Sequence, residues 1–67
     1  MKLTELVSTC ENGPCPTVYA TDTGEFIVQG FKVDDAEALA TMGMPDTETA
    51  VRIPMELIRR LVREHLA

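Results

Sequence analysis

Two cysteines, one histidine and scattered carboxylates are the side chains of this 67-residue chain whose types suit chemistry. Cys10 and Cys15 lie either side of an Asn12-Gly13-Pro14 turn. Three readings are open. The pair is half of a metal site, but a closed zinc site takes four ligands, and only His65 and acids are left to complete it. The pair is a redox switch or disulfide, since a turn of this kind brings two sulfurs close; closing so short a loop is worth about 2 kcal/mol on the chain-entropy model. Or the two side chains are small apolar groups that pack beside a turn, the common fate of cysteine. The third is the reading adopted. Cys10 and Cys15 are the candidate redox thiols, and in a cytoplasmic setting they are expected to be reduced.

Catalysis asks for more. A nucleophile needs a base, and the base needs a third group to orient it. His65 lies near the C-terminus, where a histidine also serves the helix dipole. Asp34 and Asp35 suit a helix cap. No phosphate loop or G-x-S-x-G motif is present, and so short a chain has little room for a ligand pocket. The expectation is a non-enzymatic protein with no cofactor and no resident metal.

Composition narrows the class. A chain of this size buries only about 60% of the surface its unfolded form exposes, so its stability margin is thin without a staple or a partner. The hydrophobic fraction is 45% with 25% charged residues, which is globular rather than disordered. There is no Trp, so the core must be built from Leu, Ile, Val and Met. No apolar run approaches the ~18 residues of a membrane span, and the first residues lack a signal-peptide pattern. The expected location is the cytoplasm.

The net charge is −5, which opposes generic binding to nucleic acid. The charge is uneven. Residues 1–48 hold nine acids against Lys2 and Lys32, whereas residues 49–67 hold Arg52, Arg59, Arg60 and Arg63 against Glu56 and Glu64. Those four arginines are the candidate interaction face, the alternative being a solvated helix surface. Met42, Met44 and Met55 either fill gaps or offer an adaptable contact surface.

The elements that must position these residues form one domain, 1–67. Residues 2–8 are ambiguous between a short helix and a strand. The run from Pro16 to Thr21 is rich in β-formers, Asp22-Thr23-Gly24 is a turn, and Glu25 to Val33 is a second strand, making a hairpin. Gly30 within that strand marks a bulge or a close backbone contact. Asp34 is the expected N-cap of a helix, with Glu37 completing a capping box, and Gly43 ends it. Thr49 to Ile53 is a third strand. Pro54 then opens a helix whose Leu57, Ile58, Leu61, Val62 and Leu66 make an apolar stripe that must be buried. The fold class is α+β: a small antiparallel sheet of about three strands, a short helix and a C-terminal amphipathic helix, with a homodimer as one way to hide the sheet face.

Two resemblances follow from this layout. "NGPCPTVYATDTGEFIVQG … VRIPMELIRRLV" resembles small actinobacterial proteins of unknown function encoded beside helix-turn-helix regulators. The matching positions are Cys15, Asp22, Gly24, Pro54 and Glu56; the chain differs in lacking a Trp in the last helix and in carrying residues 34–46. That resemblance implies a regulatory protein partner and no catalytic residues. Residues 51–61, "VRIPMELIRRL", are similar to the strand-to-helix element of AbrB-like transcription factors and antitoxins. This implies the alternative function, a DNA-binding subunit that uses the C-terminal arginines. Salt-dependent retention of DNA separates them, and with a net charge of −5 no strong retention of duplex DNA is expected in an electrophoretic shift at physiological salt. Sequence-specific retention lost in Arg59→Ala or Arg60→Ala would establish the DNA reading instead.

Overall fold

The structure, a computed structural model, describes residues 1–11 and 13–67. Its central sheet is antiparallel in the order β1-β2-β3, formed by Leu3–Ser8, Thr17–Thr21 and Phe26–Gln29. The ambiguity over residues 2–8 is thus resolved as a strand, because β-branched and apolar residues of β1 find a partner across the Cys10–Cys15 loop. The hairpin between β2 and β3 forms as expected. Its turn is closed by Thr21, whose hydroxyl accepts from the backbone N–H groups of Thr23 and Glu25.

The second strand of the hairpin is not continuous to Val33. It breaks at Gly30, and Phe31–Lys32 (β4) leaves the sheet to pair with Val51–Arg52 (β5) in a separate two-stranded ribbon. The break has a steric cause. A Cβ at Gly30 would sit 2.5 Å from the carbonyl oxygen of Arg52 and 2.8 Å from Ile53 Cγ2, so only glycine lets β5 cross there. The expected third strand at residues 49–53 therefore exists as β5, but the third strand of the central sheet is β1.

Between the strands of the ribbon, Ala36–Met42 forms α1. Its N-cap is Asp35, not Asp34: the Asp35 carboxylate accepts from Ala38 N–H at 2.9 Å. That position is right for a cap, three residues before its donor. Gly43 ends the helix at φ 54°, as expected. No residue of α1 is buried.

The last helix, α2, spans Met55–Leu61 and runs on into a π-helical turn at Val62–Leu66. Pro54 precedes it with the extended backbone that proline favours. Val7, Val18 and Val28 stand opposite one another across the three strands, on one face of the pleat. Leu57 and Leu61 pack into the same cluster, with Leu6 and Ile53 at its margin. Val7, Val18, Leu57 and Leu61 make the buried core, and Pro16 is buried next to Thr17.

The expected burial of the whole stripe needs correction. Ile58, Val62 and Leu66 are 42%, 45% and 56% exposed. An apolar arc of five residues covers two adjacent rows of the helix, and three short strands offer a surface for only one. Because burial sets the cost of truncation, Leu61→Ala is expected to lose ~2–5 kcal/mol of the about 5 kcal/mol such a domain has. Ile58→Ala should lose less than about 1 kcal/mol. Chemical denaturation of the two variants checks this, and equal losses would refute it.

Candidate interaction surface and the cysteine loop

The cysteine loop is built from β1 and β2 outward. Beyond Ser8 and before Thr17 the ladder adds one more bond, from Thr9 N–H to the Pro16 carbonyl at 3.1 Å. The chain then turns, with Cys15 N–H donating to the Gly13 carbonyl; Asn12, part of the expected turn, lies outside the described residues. Cys10 and Cys15 are joined by a disulfide with their Cα atoms 6.0 Å apart, a separation typical of such bonds. This corrects the expectation of two reduced thiols. A paired strand at residues 3–8, which the local pattern did not settle, fixes both ends of the loop and brings the two sulfurs together.

Beneath the disulfide lies a small polar cluster. The buried Thr17 hydroxyl donates to the Cys15 carbonyl at 2.7 Å and lies 3.0 Å from Ser8 Oγ. An open groove of about 320 Å³ runs along β1 past this cluster, lined by Glu5 through Glu11 and by Arg60. Three of the polar groups in it are engaged, Cys10 with Cys15, Ser8 Oγ with Thr17 and Arg60 with the backbone, and the carboxylates of Glu5 and Glu11 also line it.

The arginines occupy three settings. Arg60 Nη1 donates to the Ser8 carbonyl at 2.7 Å, while its Nε meets Glu64 at 3.2 Å. One turn on, His65 lies 2.9 Å from the Leu6 carbonyl; a carbonyl oxygen only accepts, so Nε2 is the donor. Leu6 marks a register shift in β1 between Glu5 and Val7. Arg60 and His65 thus satisfy two carbonyls of a strand at the edge of the sheet. Arg59 and Arg63 share the Glu56 carboxylate at 3.6 and 3.9 Å, all three well exposed. Arg52 belongs to the ribbon, its guanidinium carbon 5.8 Å from the centre of the Phe31 ring. The charge of the tail is therefore divided, and Arg60 and His65 serve the fold.

What sequence reasoning missed is that one row of the apolar stripe, beside the arginines, stays exposed. Met55, Ile58, Val62 and Leu66 fall at spacings of three and four along the helix, all exposed, Met55 at 75%. Their neighbours on one side are Arg59 and Arg63. The signal was present in the width of the apolar arc. Among the described residues no helix is long and apolar enough to cross a membrane, and no group of three or more His, Cys, Asp or Glu is placed to hold a metal ion.

The disulfide carries its own test. Without reductant, the denatured protein should show no reactive thiol, and reductant should release both. Replacing the pair by serines should lower the unfolding free energy by about 2 kcal/mol. Thiols that titrate before reduction would restore the original expectation. Comparison with protein-family models, with curated proteins and with solved structures finds no match, so the functional reading rests on the surface chemistry of the chain.

Proposed function

We propose that this chain is a small, non-catalytic protein-interaction module, and that it docks its partner on the outer row of α2. The observation that carries this is the exposed row Met55, Ile58, Val62 and Leu66. A small domain that keeps four large apolar side chains in line on one helix presents the i, i+3, i+7 pattern with which helices enter apolar grooves or pack on other helices. The partner is either a regulatory protein, as implied by the resemblance to chains encoded beside helix-turn-helix regulators, or a second copy of this chain. A cytoplasmic setting goes with it, and the disulfide then forms only under oxidising conditions.

Support for protein over duplex DNA comes from the arginines. Arg59, Arg60 and Arg63 each lie within 4 Å of a glutamate of the same helix, so binding phosphate would mean exchanging a partner already held. Support for a non-catalytic role comes from His65, the one histidine, whose ring is occupied in holding the Leu6 carbonyl of β1.

The test is a surface substitution that spares the fold. Ile58→Glu/Val62→Glu keeps good helix formers in place, and its unfolding free energy should stay within about 1 kcal/mol of the parent. The immobilised parent chain should retain a defined protein from an extract of its host, and the variant should not. Retention of the same proteins by both would remove the outer row as the docking surface.

A further inference from the structure

Two elements of this chain lack cover, and each has what the other needs. The first is α1. Its seven residues are fewer than the roughly 12–15 at which isolated helices become even marginal in water, none of them is buried, and Leu39 and Met42 project at i, i+3 spacing with 38% and 42% exposure. A helix of this length needs tertiary contact on its apolar side. The second is the outer row of α2. Charge distinguishes the two. Residues 34–48 carry Asp34, Asp35, Glu37, Asp46 and Glu48 and no basic residue, whereas the outer row of α2 is bordered by Arg59 and Arg63, which between them have one carboxylate, Glu56. Within one molecule neither covers the other fully: Leu39 and Met42 are exposed in the same structure in which Ile58, Val62 and Leu66 are exposed.

We propose that the occupant of the outer row of α2 is the α1 segment of a second copy of this chain. The proposal rests on the docking reading above and names its partner. The contact is reciprocal: α1 of each copy lies on α2 of the other, so one two-fold axis satisfies both elements twice and leaves no unmatched surface to propagate. Leu39 and Met42 pack against Ile58 and Val62. Asp34, Asp46 and Glu48 lie toward Arg59 and Arg63, which gives the encounter a charge preference that weakens with salt. Asp35 stays on its cap.

Reversal of charge tests this without touching the buried residues. In one variant Glu56→Arg, Arg59→Glu and Arg63→Glu invert the face of α2 while keeping its internal ion pairs. In a second, Asp34→Lys, Asp46→Lys and Glu48→Lys invert the α1 segment while leaving Asp35. Circular dichroism and denaturation midpoints establish that both fold. Sedimentation equilibrium should show the parent as a dimer and each variant dissociating about tenfold or more readily. Mixing the two variants should restore a dimer of one copy of each, because both contacts are then complementary again. A single chain carrying all six changes should dimerise with itself. A parent that stays monomeric at high concentration overturns the proposal, as do two variants that dimerise like the parent, or a mixture and a six-fold variant that both remain monomeric. A monomeric parent whose capture of a different protein still depends on Ile58 and Val62 would overturn only the second copy as occupant, and the docking surface would stand.

Discussion

Everything in this chain hangs on the seating of two leucines. Leu57 and Leu61 close over a row of three valines drawn one from each strand of the central sheet. Remove that contact and the sheet has an apolar face in water, since three short strands without cover are at the limit of independent stability. Val7, Val18, Leu57 and Leu61 are a small core even for a domain of this length. The remaining order is supplied by devices at the margins: a disulfide that closes the β1–β2 loop, an aspartate and a glycine that bound α1, and two side chains that reach from α2 to the edge of β1.

Much of this was legible in the residues themselves. The hairpin could be read from its β-formers and its Asp-Thr-Gly turn, α1 from its alanines and terminal glycine, and α2 from its apolar periodicity, because these are local signals that act within one or two turns of chain. Gly30 announced a close backbone approach, and the approach of Arg52 and Ile53 is there. What local pattern could not supply was pairing. Whether residues 3–8 form helix or strand depends on a partner eighteen residues away, as in the register Leu3 with Thr21. The position of β5 likewise depends on where Gly30 breaks the strand before it. The disulfide was misjudged for the same reason, since the proximity of the two sulfurs is a consequence of β1 being a strand.

The functional surface was half legible. The arginines were visible as a cluster in sequence, yet the helix distributes them around its circumference and assigns Arg60 to the backbone of β1. The apolar stripe was visible too, but its division into a buried and an exposed row is set by the width of the sheet, a tertiary quantity. That division matters most for function, because it separates the side chains that hold the domain together from those free to meet another molecule.

The treatment of the sheet edges also sets how this protein behaves when crowded. β1 presents its outer carbonyls to a guanidinium and an imidazole, whereas β3, with the uncharged stretch Phe-Ile-Val-Gln, ends the sheet on the other side. Stacking strands into a fibril requires every unit to offer two docking edges, one above and one below. A unit with one edge plugged can recruit a single neighbour and then stops. An added strand on the β1 side would therefore have to displace Arg60 and His65 from two carbonyls that it needs.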